Sequence, residues 1–238
     1  MPPLLVVYFP LADPLVGADL LDLYAEAGVD VVECGWPARA PYLDGPDVRA
    51  AMARAVDPAA AWAEVRGRLS RRDRPKPLLM TYAEPGHPGA ADDSFFAGAY
   101  GLLAVARASD ATRLALEARA RTAGTRVCAF LPLPLVESDV EAGRRAGGYV
   151  MLQAAPGLTG PRAALDPANA ARIADLRARG VAAPILLGFG VSTSDQARAA
   201  RDLGADGVVV GSAALRAALR GRAALAALLK GLREGLDG

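Results

Sequence analysis

The sequence predicts an α/β chain closed into a single (β/α)8 barrel, a TIM barrel, over residues 1–238. Three observations point there. Short apolar runs alternate with Ala-rich amphipathic stretches from end to end, and strict alternation of strand and helix marks the α/β class. The runs are rich in Val, Ile and Leu without polar alternation, which suits parallel strands covered on their outer face. Eight such units in 238 residues fit the ~250 residues typical of the closed barrel better than an open sheet.

The first strand is Leu4 to Phe9, followed by a helix from about Gly17 to Ala27 with Gly28 as its stop. The second strand is Val29 to Cys34. A loop, Gly35 to Gly45, leads to helical segments reaching Leu69. The third strand is Pro77 to Thr81 and the fourth Leu102 to Val105. A helix near Ala111 to Thr122 precedes the fifth strand, Arg126 to Phe130. The sixth is Tyr149 to Gln153, the seventh Ile185 to Gly188 and the eighth Gly207 to Val210. The first strand has no G-x-G-x-x-G turn, which argues against dinucleotide binding. No domain boundary or low-complexity linker interrupts the series.

Composition narrows the function. The 27 basic and 26 acidic residues leave a net charge of +1. The densest basic cluster, Arg71, Arg72 and Arg74, reads as a solvated face, and no basic stripe offers a nucleic-acid surface. No apolar stretch approaches the ~20 residues of a membrane span. Pro2 and Pro3 lead straight into the first strand with no leader-like segment, so a cytoplasmic protein is expected. Cys34 and Cys128 lie in separate strands, without metal spacing or a disulfide framework. The one histidine, His87, sits in the loop Glu84-Pro85-Gly86-His87-Pro88-Gly89 and is expected to be solvated. No metal or cofactor site is read from the sequence.

In such barrels the active site lies at the C-terminal ends of the strands. The seventh strand runs into Gly188-Phe189-Gly190-Val191-Ser192-Thr193 and the eighth into Gly211-Ser212-Ala213-Ala214. A short helix starting at Gly211 or Ser212 would aim free N–H groups at a phosphate. The sixth strand adds Gly157-Leu158-Thr159-Gly160. One glycine pair would suggest only a tight turn; three glycine loops after three successive strands favour a phosphate cradle. In Val31-Val32-Glu33-Cys34, alternation puts Glu33 on the face of Val31. If that face is the interior, Glu33 sits in apolar surroundings that raise its pKa toward proton transfer. A glutamate paired with a neighbouring arginine is the other reading. Asp44 follows in Tyr42-Leu43-Asp44-Gly45-Pro46, which is also ordinary helix-start chemistry. It gains interest because two carboxylates at one mouth can divide acid and base roles. Tyr8, Tyr82 and Phe189 are placed to wall a flat aromatic ligand, or simply to pack.

Taken together, these residues resemble the tryptophan synthase alpha chain family. The resemblance rests on Glu33-Cys34-Gly35-Trp36-Pro37 with Leu43-Asp44-Gly45-Pro46, and on Met80-Thr81-Tyr82. It continues through Gly157-Leu158-Thr159-Gly160, Gly188-Phe189-Gly190-Val191-Ser192 and Gly211-Ser212-Ala213, in the family's order, with Asp13-Pro14 after the first strand. It covers nearly the whole chain. It implies a cofactor-free lyase that splits indole-3-glycerol phosphate into indole and glyceraldehyde 3-phosphate. Glu33 would then be the main acid/base group and Asp44 would hold the indole N–H. Gly160, Gly190, Gly211 and Ser212 would bind the phosphate. Tyr8, Tyr82, Thr159 and Phe189 would contact the substrate.

The chain departs from the family pattern at particular places. Met151 stands where a tyrosine is usual, Ala40 where an aspartate is usual, beside Arg39, and Glu84 where an asparagine is usual. Arg107 falls near another aspartate position. Ala40 and Glu84 belong to the surface that meets the family's beta chain, so a beta chain is the partner placed in question. Two other functions fit the same barrel. One is a different phosphosugar lyase or isomerase. The other is a non-catalytic subunit that acts by binding a beta-like chain; the retained Glu33 and Asp44 argue against it.

Overall fold

The computed structural model describes residues 2–70, 72–107, 109–158, 160 and 164–238. Eight parallel strands close into a barrel in sequence order. They are β1 Leu4–Pro10, β2 Val31–Gly35, β3 Lys76–Tyr82, β4 Gly101–Val105, β5 Arg126–Leu131, β6 Val150–Gln153, β7 Ile185–Gly188 and β8 Gly207–Val210. Closure rests on β1, which sets Tyr8 opposite Glu33 of β2 and Val6 opposite Val209 of β8. Every residue of β2, β4, β6, β7 and β8 is buried. Their unbroken apolar runs follow from that: one face meets the outer helices and the other fills the interior.

The outer layer is α1 Leu21–Glu26, α2 Pro46–Arg54, α3 Pro58–Leu69, α4 Ala111–Thr122, α5 Glu137–Arg144, α6 Ala168–Ala178, α7 Ser194–Asp202, α8 Ser212–Leu219 and α9 Arg222–Asp237. Pro46 and Pro58 sit at the starts of α2 and α3, where a missing N–H costs nothing. No helix among the described residues is long and apolar enough to cross a membrane.

Two boundaries differ from expectation by more than one residue. The helix expected from Gly17 to Ala27 is a 3-10 turn, Ala18–Leu20, running into α1. The second strand starts at Val31 and not at Val29. Gly28 takes φ +71°, and the Val29 N–H turns back to the Tyr24 carbonyl at 3.0 Å. That helix-terminating bond keeps Val29 out of the ladder. Asp30 then serves the base of the barrel: its carboxylate accepts from the Leu5 N–H at 2.9 Å and pairs with Arg74 and Arg233. In the basic cluster Arg72 pairs with Asp22 at 2.7 Å and Arg74 with Asp30; Arg71 lies outside the described residues.

Candidate active site

A cleft of about 570 Å³, counting the space open at its mouth, lies at the carboxy ends of the strands. Tyr8, Glu33, Asp44 and Tyr82 reach it from β1, β2, the loop after β2, and β3. Phe189, Gly190, Gly211 and Ser212 reach it from the ends of β7 and β8. The apolar lining includes Met80, Val105, Phe130, Met151 and Val209. Thr159 lies outside the described residues, and Gly160 is described but is not among those lining the cleft.

Glu33 faces the interior, as alternation from Val31 requires, and is only 3% exposed. Its partner comes from across the barrel: the Tyr149 hydroxyl donates to Glu33 Oε1. Burial raises the Glu33 pKa, the Tyr149 bond opposes that rise, and the Asp44 charge adds to it, leaving it at about 7. Desolvation therefore outweighs a hydrogen bond that favours the carboxylate. A tyrosine, and not the arginine considered from sequence, holds this group.

Asp44 is buried and ends the loop from β2, just before Gly45 and Pro46 open α2. The Tyr82 hydroxyl donates to its Oδ2 at 2.8 Å. Burial and the Asp44 charge push the Tyr82 phenol up, so it remains a neutral donor. The exposed Tyr42 packs its ring on Tyr82 edge to face, centroids 5.2 Å apart. The same loop is tied to the β3 loop at a second point, where the Arg39 N–H donates to the Glu84 carboxylate at 3.2 and 3.3 Å. The donor is the Arg39 main chain, so of the departures from the family pattern it is Glu84 that makes this contact.

At the other end of the cleft α8 begins at Ser212, immediately after Gly211. The first N–H groups of a helix have no partner within it, and they carry its positive dipole end. Phe189 and Gly190 both take positive φ, +71° and +103°. For Phe189 that is an uncommon conformation, of the kind that clusters at ligand sites. Its half-buried ring stacks on Phe130 at 5.8 Å and 25°. The arrangement offers an anion seat beside a flat apolar slot, facing two carboxylates.

In the sequence Tyr149 only opens the sixth strand, and its bond to Glu33 is not foreseen there. The signal was present: Tyr149 and Met151 share a face of one strand by alternation. What was missing was the closure that sets β6 across from β2. His87 is not in solvent, where its loop composition suggested it would be. It is 4% exposed, wedged against Trp36 and Phe95. Its Nδ1 accepts from the Gly89 N–H at 3.1 Å and its Nε2 meets Thr81 Oγ1 at 2.8 Å. Burial lowers its pKa to about 4, so it is a neutral post under the β3 loop. Asp13, also buried, takes Arg54 through both oxygens, at 3.0 and 2.6 Å, and so fixes the β1 loop to α2. Cys34 and Cys128 are buried free thiols.

Comparison with known proteins shows one family over most of the chain. The family model described as "Tryptophan synthase alpha chain" matches residues 3–227. The tryptophan synthase alpha chain of Leifsonia xyli is 35% identical over 237 residues, covering 93% of this chain and 88% of the relative. That of Synechococcus elongatus is 31% identical over 218 residues, covering 88% and 82%. Among solved structures, one of Mycobacterium tuberculosis tryptophan synthase superposes with a TM-score of 0.85 at 24% identity. It covers 100% of this chain and 93% of that one; at that identity the likeness speaks to the fold.

Proposed function

The chain belongs to the tryptophan synthase alpha chain family, and from that premise we propose that Glu33 and Asp44 carry its chemistry while the ends of β7 and β8 hold the substrate's phosphate. It is a carbon–carbon lyase that cleaves indole-3-glycerol phosphate to indole and glyceraldehyde 3-phosphate, in tryptophan biosynthesis.

In this reading the phosphate seats on the N–H groups at Gly190, Gly211 and Ser212, with Gly160 assigned to the phosphate and Thr159 to a substrate contact by resemblance alone. The indole ring enters the slot between Tyr82 and Phe189, with Tyr8 beside it. Remote binding energy at the phosphate then positions the ring against the carboxylates. Protonated Glu33 delivers its proton to the ring carbon that bears the side chain. Asp44 accepts the indole N–H and stabilises the positive charge that develops. Glu33, now a carboxylate, takes the proton from the hydroxyl on the adjacent carbon. The carbon–carbon bond breaks, its electrons return to the ring, and an aldehyde forms. Glu33 ends as it began, so the cycle needs no cofactor.

The observation that carries this reading is the buried Glu33, with a pKa near 7, in the same apolar cleft as the α8 N-terminus. A group that gives and retakes a proton at neutral pH works best with a pKa close to that pH. Tyr149 is then a positioning residue. Tyr149→Phe removes the bond that favours the carboxylate, so the falling limb of kcat/KM against pH moves upward. A hydrogen bond to a charged group, worth about 1.5–3 kcal/mol, corresponds to roughly one to two pH units. A limb that stays in place, or moves down, contradicts the assignment.

Alpha chains of this family pair with a beta chain. We propose that this one works without it. Arg39 to Glu84, Tyr82 to Asp44 and the Tyr42–Tyr82 contact order the catalytic loop from within the chain. Incubation with indole-3-glycerol phosphate should release indole at a rate that an added beta chain changes by less than about threefold. Indole release only in the presence of a beta chain would overturn this. The buried free thiols fit a reducing compartment, and a cytoplasmic location is part of the proposal.

A further inference from the structure

The Tyr8 hydroxyl is buried and has no hydrogen-bond partner among the described residues. Its residue is 3% exposed and lines the cleft. The backbone has been shaped around it. A Cβ placed on Gly35 would lie 2.3 Å from Tyr8 Cε2 and 2.4 Å from its hydroxyl oxygen, so glycine there lets the ring lie flat over the start of the β2 loop. Burial, with the charges of Asp44 and Glu33 adding to it, pushes the phenol well above its ordinary value. It therefore stays a neutral O–H, fit to donate.

Leaving a buried hydroxyl unpaired costs stability, and Phe would fill the same volume without that cost. The hydroxyl is thus best understood through what enters the cleft. Its position names the atom it meets. β1 lies between β8, whose end carries the anion seat, and β2, which carries Glu33. With the phosphate at β8 and the ring at Asp44, the glycerol chain that joins them crosses β1.

We infer that the Tyr8 hydroxyl donates a hydrogen bond to a glycerol hydroxyl of the substrate, and so selects ligands that carry oxygen between ring and phosphate. The inference rests on the substrate reading above. It assigns Tyr8 a specificity role in addition to its place in the slot wall.

Two ligands test it, measured by calorimetry on Glu33→Gln and on Glu33→Gln/Tyr8→Phe, in which loss of the acid/base group slows consumption of the substrate. One is indole-3-glycerol phosphate. The other is 3-(indol-3-yl)propyl phosphate, which keeps the ring and the phosphate and lacks both hydroxyls. Tyr8→Phe should weaken the first about three- to tenfold and change the second by less than twofold. Its Tm without ligand should not fall, whereas a structural hydroxyl would lower it on removal. Equal losses for both ligands, no loss for either, or a lowered Tm would overturn the inference alone. If Glu33→Gln binds neither compound, the substrate reading fails and takes this inference with it.

Discussion

Glu33→Gln lowers kcat/KM for cleavage of indole-3-glycerol phosphate by about 10²–10⁴-fold, the usual cost of losing a positioned acid/base group. Gln preserves the size of the side chain and keeps an oxygen to accept from Tyr149, so the barrel should fold unchanged. Stability supplies an independent check. The folded pKa of about 7 lies above the ordinary 4.5. The protonated side chain therefore contributes stability that is full below the ordinary value and is lost as pH rises through 7. A shift of that size is worth on the order of 3 kcal/mol. Gln carries no charge that burial penalises. Relative to wild type, the variant should gain several degrees of Tm between pH 5 and pH 8, read by calorimetry at both. A constant Tm difference would mean that Glu33 is not desolvated as described.

Gly211→Asp is expected to weaken substrate binding by about 10²–10³-fold. The substrate's phosphate is close to dianionic at neutral pH. A carboxylate placed at the α8 N-terminus would both occupy the anion seat and repel the ligand. Two unit charges about 4 Å apart near a protein surface repel by about 4 kcal/mol, which is enough for that loss. The control is Gly211→Ala, since a Cβ at this position meets nothing within 4 Å. It should keep affinity for glycerol 3-phosphate within about threefold. Unchanged affinity in Gly211→Asp would place the cradle elsewhere.

Local chemistry made much of this molecule legible in its sequence. β7, β8 and α4 fall where the apolar runs and the amphipathic stretch from Ala111 to Thr122 placed them. Gly28 stops α1 because its positive φ suits glycine. The Pro46 start of α2 fixes Asp44 at the end of its loop. What escaped was set by distance in space. Tyr149 is 116 residues from Glu33, and only barrel closure faces them. The Arg39–Glu84 contact joins two loops whose spacing depends on β2 and β3 being neighbours. His87 was misjudged because a Pro- and Gly-rich loop suggests solvent, whereas Trp36 and Phe95 fold over this one. The Tyr8 hydroxyl is legible only beside Gly35, the residue whose missing side chain makes room for it.

The central claim is that a buried, protonated Glu33 drives cleavage of a phosphate-held indole substrate. Its most direct test is the pH dependence of kcat/KM for indole release from indole-3-glycerol phosphate, in wild type and in Glu33→Gln. That dependence reports groups of the free enzyme. Wild type should show a falling limb centred near pH 7, matching the raised Glu33 pKa; Glu33→Gln should be low and without that limb. Indole release by Glu33→Gln at the wild-type rate, or with the same limb, would contradict the account.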